Sequence, residues 1–203
     1  EVFLSPPDTS LYPVQEREIG VTTEIIHQTC NQAEYCFRFT SLTEGQLEGF
    51  IDLNGSGDYE EGSDIRFAHV FTEDSLSTCI PWDGRDSDGN LINGETVNVV
   101  ANIGFGATHL PLFDVEASNN GIKVNVVSPA NASTPVLFWD DTEIDNRGVV
   151  GDKSVELVGC NTETGDCHTW SNRGQNNNDS ETINTWWYAD LVTSVAQLDV
   201  YQY

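Results

Sequence analysis

The hydrophobic positions of this chain fall in short runs that are separated by polar turns. In residues 96–105, TVNVVANIGF, the apolar Val97, Val99 and Ala101 alternate with their neighbours. Alternation with a period of two is typical of a β-strand that buries one face. Runs rich in β-branched or aromatic residues predict nine strands, over residues 20–28, 35–42, 45–53, 64–71, 96–105, 121–128, 135–141, 153–159 and 182–189.

The segments between these runs favour turns over helices. Stretches such as SDGN (87–90) and SPANASTP (128–135) are rich in Gly, Asn, Asp, Ser and Pro, which tolerate or impose turn conformations. Helical periodicity with caps is not convincing anywhere, although residues 189–198 fit a helix or a strand. The pattern predicts an all-β fold, an Ig-like or jelly-roll-type β-sandwich with long acidic loops.

Composition divides the chain into a lead-in and a module. Residues 1–17 hold three of the seven prolines and little periodicity, which indicates an extended linker or an inter-module strand. Residues 18–203 form the predicted β-sandwich module, with two packed sub-sandwiches meeting near 128–135 as the alternative. The polar stretch 161–185 is too long for an ordinary hairpin loop.

The charge balance is strongly acidic and bears on the partners. Against 8 Lys and Arg the chain has 33 Asp and Glu, a formal net charge of −25. This field repels nucleic acid and anionic membrane surfaces, so neither is an expected partner, and no apolar run is long enough for a transmembrane helix. Aromatic residues make up 10% of the chain, which favours a folded domain. Because a folded domain with this charge repels itself, we expect Ca²⁺ to neutralise part of the charge.

Five cysteines bear on the cellular compartment. Cys30 and Cys36 bracket one short polar loop, and Cys160 and Cys167 bracket another. We expect these two local disulfides, with Cys79 left over; a bond from Cys79 to Cys30 or Cys36 is the alternative. Disulfides predict an oxidising, extracellular setting.

The stretch DLNGSGDYEEGSD, residues 52–64, has the spacing of a calcium loop. Counted from Asp52, oxygen-bearing residues stand at positions 1, 3, 5 and 7, with Gly57 at position 6, as in an EF-hand loop. The closing carboxylate comes one position late, and strands rather than helices flank the loop. The alternative is a solvated acidic turn. The candidate ligands are Asp52, Asn54, Ser56, Asp58, Glu61 and Asp64.

Two further acidic clusters are candidate metal sites. The segment WDGRDSDGN, residues 82–90, has two interpretations. The favoured one is a hairpin whose Trp82 anchors the strand end in the core, and the other is a calcium site shared by Asp83, Asp86 and Asp88. The segment WDDTEIDN, residues 139–146, fits two interpretations equally well, a metal site formed by Asp140 and Asp141 and a plain acidic loop.

Three aromatic residues are candidates for stacking against a sugar. They are Trp170, Trp186 and Tyr188. Trp186 and Tyr188 share one face of a strand while Trp187 takes the other, so at least one of these rings is expected in the core. A hydrolase that uses Asp140 or Asp141 with Glu143 is a weaker hypothesis, because no motif of a reaction class is present.

Several motifs resemble a module of large type IX-secreted surface proteins and gliding adhesins of Bacteroidota. The resemblance lies in IDLNGSGDYEEGSDI (51–65), IPWDGRDSDGNLINGETVNV (80–99), HLPLFDVEASNNG (109–121), VLFWDD (136–141), and GCNTETGDCHTWS followed by TINTWWY (159–188). It implies an extracellular β-sandwich with a place in a repetitive adhesin or filament. It brings no catalytic residues with it.

These observations predict a non-enzymatic structural or adhesive module of a cell-surface protein, stiffened by Ca²⁺ and disulfides. A calcium-dependent carbohydrate-binding module is the alternative, with surface glycans as its partners. Neighbouring modules or identical subunits are the expected partners of the structural module, and residues 1–17 could pair with the edge strand of a neighbour.

Overall fold

A computed structural model describes residues 19–29, 32–113, 123–125, 134–142, 155–161, 167 and 182–201. No helix is present among these residues, and so none that could span a membrane. The strands are β1 (Ile19–Thr29), β2 (Gln32–Ser41), β3 (Gly45–Asp52), β4 (Ile65–Phe71), β5 (Ser77–Trp82), β6 (Glu95–Phe113), β7 (Val136–Asp140), β8 (Val155–Asn161) and β9 (Thr182–Val200).

The strands form two antiparallel sheets that pack face to face. The smaller sheet has the order β1-β2-β5, and the larger has the order β4-β3-β6-β9-β7-β8. The predicted all-β sandwich is therefore confirmed.

The core between the sheets follows from alternation along the strands. In β2 the side chains of Tyr35, Phe37 and Phe39 are buried, whereas those of Glu34 and Arg38 are exposed. The three rings pack against apolar residues of the larger sheet, which are Leu47, Ile51, Phe67, Phe71, Val97, Val99, Ala101, Ile103, Phe105 and Val200. Apolar burial of this extent is the main force that holds two sheets together.

β6 and β9 form a ribbon longer than the sandwich itself. They pair from Glu95 opposite Val200 to Phe113 opposite Thr182, about 60 Å of strand at roughly 3.3 Å per residue. Every residue of β6 in this range is paired with β9 except Gly106. Gly106 has φ +64°, a conformation that favours glycine. The inner half of the ribbon lies in the sandwich, and the outer half projects beyond β3.

The ribbon exchanges its buried faces at this kink. Leu191 and Tyr188 of β9 pack in the same cluster although they are three residues apart, a spacing that places side chains on opposite faces of a regular strand. Alternation therefore restarts with the opposite phase beyond Gly106.

The second face of the larger sheet is covered by β7 and β8. Phe138 of β7 and Leu157 of β8 pack with Phe50 of β3 and Val100 of β6. The buried Asn102 amide donates a hydrogen bond of 2.6 Å to the carbonyl of Leu157. The larger sheet is thus curled, with its β8 edge lying over β3 and β6.

Some predicted boundaries differ from the observed ones. β5 was not predicted, since its sequence STCIPW is short, holds a proline and has no clear alternation. Residues 189–198, compatible with a helix or a strand, are part of β9. Of the strand predicted at 121–128, residues 123–125 lie in no strand and the others fall outside the described residues, as do residues 1–17 and most of the proposed boundary at 128–135.

Candidate functional sites in the acidic loops

The loop between β3 and β4 is organised around the buried carboxylate of Asp52. This residue ends β3 and is 1% exposed. Its Oδ1 accepts a hydrogen bond of 2.7 Å from the backbone N–H of Gly55, and its Oδ2 accepts one of 3.1 Å from Gly57. Asn98 of β6 donates a third, longer bond of 3.3 Å to the same Oδ2. These donors satisfy the hydrogen-bonding capacity of the buried carboxylate from within the protein.

Asp64 closes the other end of the loop in the same way. It is 6% exposed, and its oxygens accept hydrogen bonds of 3.0 Å from the N–H of Leu53 and 2.9 Å from that of Glu60. The two ends of the loop are thus held together by two acidic side chains and the backbone donors between them.

The other predicted ligands of this loop point to the surface. Asn54 donates to Glu60 Oε2 at 2.9 Å, and Ser56 donates to the carbonyl of Asp58 at 2.8 Å. Glu61 is exposed. Glu60 was not among the predicted ligands; of the two adjacent glutamates, only Glu61 was predicted.

The donor set of this loop only partly fits a bound Ca²⁺. Carboxylate, amide, hydroxyl and carbonyl oxygens are the ligands that Ca²⁺ prefers. However, the part of the chain that the structure describes contains no group of three His, Cys, Asp or Glu side chains placed to hold a metal. The carboxylates of Asp52 and Asp64 already serve backbone donors, which is what a self-contained acidic turn requires.

The Trp82–Asn90 segment is a turn held by one aspartate. Asp86 Oδ1 accepts hydrogen bonds from the backbone of Asp88 at 3.0 Å and of Asn90 at 2.7 Å, and Asn90 Nδ2 donates to Oδ2 at 3.0 Å. These bonds lower the pKa of Asp86, the Asn90 side chain contributing most. Asp83 accepts a bond from the N–H of Arg85.

Trp82 anchors this turn in the core, as the hairpin interpretation predicts. Its ring is 4% exposed, and its Nε1 donates a bond of 2.9 Å to the carbonyl of Arg85. The three aspartates predicted to share a metal include two that serve the turn backbone, so this segment has the features of the plain hairpin.

The Asp140 carboxylate belongs to a polar network that crosses four strands. Arg66 of β4 forms ion pairs with Glu48 of β3 at 2.6 Å and with Asp140 of β7 at 3.4 Å, and Tyr188 of β9 donates to the second oxygen of Glu48 at 3.3 Å. Asp141, the other predicted ligand, is fully buried.

Burial and charge shift the pKa values in this network. Desolvation alone would lower the pKa of Arg66, but its hydrogen bond and ion pair with Glu48 raise it overall. Burial, followed by the charge of Glu48, raises the pKa of Tyr188 well above its ordinary value. Both partners of Glu48 thus remain protonated over the whole physiological range.

This network was not predicted, although the sequence contains one signal for it. Glu48 shares a strand face with the apolar Phe50, and a charged residue on a buried face requires a partner. That partner lies on a neighbouring strand, which spacing along the chain does not reveal.

The predicted stacking role of Trp186 and Tyr188 is wrong. The two side chains are 2% and 5% exposed, and both pack against Phe138, at centroid distances of 5.9 and 5.6 Å. Because these rings are buried in the core, they offer no face to a sugar. Trp170 lies outside the described residues.

The disulfide pairing corrects one prediction and confirms another. Cys36 of β2 is bonded to Cys79 of β5, with Cα atoms 5.4 Å apart, so the expected Cys30–Cys36 bond is wrong and the alternative bond from Cys79 to Cys36 is confirmed. Cys160 and Cys167 are bonded as predicted, with Cα atoms 5.9 Å apart. Cys30 lies outside the described residues. Two disulfides indicate a non-reducing setting.

Comparisons with protein-family models, with curated proteins and with solved structures found no match to this chain.

Proposed function

We propose that this chain is a non-enzymatic structural or adhesive module of an extracellular surface protein. One observation carries the proposal: the buried carboxylates of Asp52 and Asp64 each accept two backbone hydrogen bonds within the loop that they close. In this loop the two carboxylates, which are the groups most suited to catalysis, instead hold the backbone in place. Such use of acidic side chains favours a rigid scaffold over a reactive cleft.

The disulfides support a role in which the module resists unfolding outside the cell. Cys36–Cys79 joins two strands of the smaller sheet, and Cys160–Cys167 joins the last residues of β8 to the segment before β9. Both bonds persist only where reductants are scarce. The net charge of −25 on the chain favours solubility outside the cell.

The carbohydrate-binding alternative has lost its main support. Its two described stacking candidates, Trp186 and Tyr188, are core residues. We therefore propose attachment to other modules of a surface assembly as the role of this chain.

Resistance to proteolysis tests the structural role. We expect the oxidised chain to withstand thermolysin at moderate temperature, because cleavage requires opening of the sandwich. Reduction of both disulfides should accelerate cleavage. Equal cleavage of the oxidised and reduced chains would contradict a module stiffened by disulfides.

We also propose that the Asp52–Asp64 loop binds Ca²⁺ and so adds to this rigidity. The exposed oxygen-bearing side chains of Asn54, Ser56 and Asp58 and the excess of negative charge support this proposal. A ligand that binds only the folded state raises its stability by RT ln(1 + [L]/Kd). Chelation should therefore lower the melting temperature.

Paired variants separate specific binding from general charge effects. Asp58→Asn removes a charge inside the loop, and Asp74→Asn removes one at an exposed turn elsewhere. We expect Asp58→Asn alone to reduce the rise in melting temperature that millimolar Ca²⁺ produces. No rise in the unaltered chain, or equal losses in both variants, would contradict the calcium proposal.

A further inference from the structure

The loop between β3 and β4 contains an Asn-Gly step whose side-chain amide and following N–H are held by neighbouring groups. Asn54 and Gly55 are both exposed. Oδ1 of Asn54 accepts a hydrogen bond of 2.9 Å from the backbone N–H of Ser56, and its Nδ2 donates one of 2.9 Å to Glu60 Oε2. The backbone N–H of Gly55 donates a bond of 2.7 Å to Asp52 Oδ1. These are the atoms that react when an Asn-Gly step cyclises.

An asparagine that is followed by glycine can cyclise without an external reagent. The backbone nitrogen of the glycine attacks the side-chain carbonyl carbon, Cγ, of the asparagine, which closes a succinimide ring and releases ammonia. Water then opens the ring at either of its two carbonyls and leaves aspartate or isoaspartate in place of asparagine. Glycine favours the attack because it has no side chain to hinder the approach of the backbone.

Asp52 is placed to take the proton that this attack releases. An amide nitrogen is a poor nucleophile until its proton is removed, and a general base must lie within hydrogen-bond distance of that proton, as Asp52 Oδ1 does at 2.7 Å. The N–H bond lies in the peptide plane, whereas the electron pair that attacks Cγ is perpendicular to this plane. The base and the carbon under attack therefore do not compete for the same side of the Gly55 nitrogen.

The N–H of Ser56 is placed to stabilise the charge that develops on Asn54. As the ring closes, the side-chain carbonyl carbon becomes tetrahedral and its oxygen gains negative charge. That oxygen already accepts the Ser56 N–H, and backbone donors stabilise oxyanions of acyl transfer in this way. The two partners also fix the orientation of the amide, since the acceptor from Ser56 must be oxygen and the donor to Glu60 must be nitrogen.

We propose that Asn54 is a site of self-modification, at which the folded chain converts its own asparagine to aspartate or isoaspartate through a succinimide. The bond that forms joins the Gly55 nitrogen to Asn54 Cγ, and the bond that breaks is Cγ–Nδ2. Asp52 accepts the proton of Gly55 and returns it to water, while Nδ2 gains a proton from water and leaves as ammonia. Opening of the ring consumes one further water, and no oxidant or reductant takes part.

The product loop differs from the original one in its charge. A carboxylate at position 54 adds a negative charge and cannot donate to Glu60, whose Oε2 lies 2.9 Å from the present Nδ2. Two carboxylates this close repel each other unless a cation lies between them. The reaction therefore loosens the turn and makes it more attractive to a cation. Because it occurs once in each chain, it leaves the non-enzymatic role proposed above unchanged.

A second Asn-Gly step provides a control within the same molecule. Asn93 and Gly94 are both exposed, and the N–H of Gly94 donates a bond of 2.7 Å to the carbonyl oxygen of Val200. A backbone carbonyl accepts the hydrogen bond but is too weak a base to remove the proton. Folding should therefore slow the reaction at Asn93 and accelerate it at Asn54. The remaining Asn-Gly step, residues 120–121, lies outside the described residues.

Peptide mapping of the full chain by mass spectrometry tests the proposal. The oxidised, folded chain and the reduced chain unfolded in guanidinium chloride are incubated at the same pH and temperature. Excess EDTA is present, so that the result does not depend on the calcium proposal. We expect Asn54 to lose ammonia at least about tenfold faster in the folded chain, because only folding positions the base and the oxyanion donor. At Asn93 we expect the opposite order.

Two variants assign the acceleration to Asp52. Asp52→Asn replaces the carboxylate with an amide of similar shape and should remove most of the acceleration at Asn54, whereas Asp58→Asn removes a charge from the same loop and should leave it unchanged. If Asp52→Asn does not fold, the ratio of folded to unfolded rates in the unaltered chain still decides. An equal or slower reaction at Asn54 in the folded chain, acceleration by folding at Asn93 as well, undiminished acceleration in folded Asp52→Asn, or an equal loss in Asp58→Asn each overturns the proposal.

Discussion

At the scale of single residues, close approach of backbones decides what several positions tolerate. Gly49 in β3 lies so near β6 that a Cβ atom there would clash with the carbonyl oxygen of Val100 and with the Phe67 ring. A backbone atom in a central ladder cannot move away without breaking the sheet pairing.

We expect Gly49→Ala to lower the free energy of unfolding by about 1–3 kcal/mol or more, as overpacking in a core does. Gly45→Ala is the matched control, because its Cβ would meet the Phe105 ring at 2.8 Å but no backbone atom nearer than the Gly104 carbonyl oxygen at 3.1 Å. Urea unfolding of both variants provides the comparison. A larger loss at Gly45 than at Gly49 would contradict this account.

The buried Tyr188 hydroxyl makes stability depend on alkaline pH. Burial and the charge of Glu48 raise its pKa in the folded chain above the value near 10 of an exposed tyrosine. The folded state therefore holds a proton that the unfolded state has lost, so the contribution is complete below about pH 10 and declines as pH rises beyond it.

Tyr188→Phe should remove part of this decline. We expect the urea midpoint of the unaltered chain to fall more steeply between about pH 9 and 11 than that of the variant. Tyr201→Phe, at an exposed position, is the control. Parallel curves for Tyr188→Phe and the unaltered chain would show that Tyr188 does not titrate as proposed.

At the scale of elements, the sequence predicted strands better than their partners. Alternation at Val97, Val99 and Ala101 identified β6, because a half-buried strand imposes a period of two. The same rule could not show that β6 continues to Phe113, since the kink at Gly106 reverses the phase of the alternation.

Partner choice depends on register, which local spacing does not encode. Cys36 stands opposite Pro81, and Cys79 opposite Arg38, so the two sulfurs meet diagonally across β2 and β5. Proximity in sequence favoured Cys30 instead. The strands predicted at 45–53 and 64–71 place a loop between Asp52 and Asp64, but the roles of these two residues as acceptors of backbone hydrogen bonds required the fold.

The two disulfides should differ in their contribution to stability. Cys36–Cys79 spans 43 positions and Cys160–Cys167 spans 7. Loop-closure entropy predicts losses of about 4 and about 2.5 kcal/mol when each bond is removed. Melting of the double variants Cys36→Ala/Cys79→Ala and Cys160→Ala/Cys167→Ala provides the measurement, and a reversed order would contradict the entropic account.

At the scale of the whole molecule, the charge opposes folding. With 33 acidic against 8 basic side chains, compaction brings like charges together, and at 0.1 M salt the repulsion between charges more than about 10 Å apart is largely screened. Most described carboxylates outside the buried network are exposed, and so are accessible to this screening.

We therefore expect the melting temperature to rise when NaCl is increased from about 10 to 300 mM, the range over which screening becomes effective. A chain stabilised mainly by surface ion pairs would behave in the opposite way. Repeating the series with CaCl₂ at equal ionic strength separates screening from specific binding. A melting temperature that falls with NaCl would contradict the repulsion argument.

The paired ribbon of β6 and β9 also bears on how the described fold would respond to a pulling force. Ile19 lies at the end of the sandwich from which the ribbon projects, and Val200, opposite Glu95, lies at the other end. A pulling force between these points acts along the strands, so neighbouring strands must slide past one another. Sliding loads many hydrogen bonds at once, whereas peeling breaks them one at a time, so a force along the strands meets more resistance than one that peels β9 from β6.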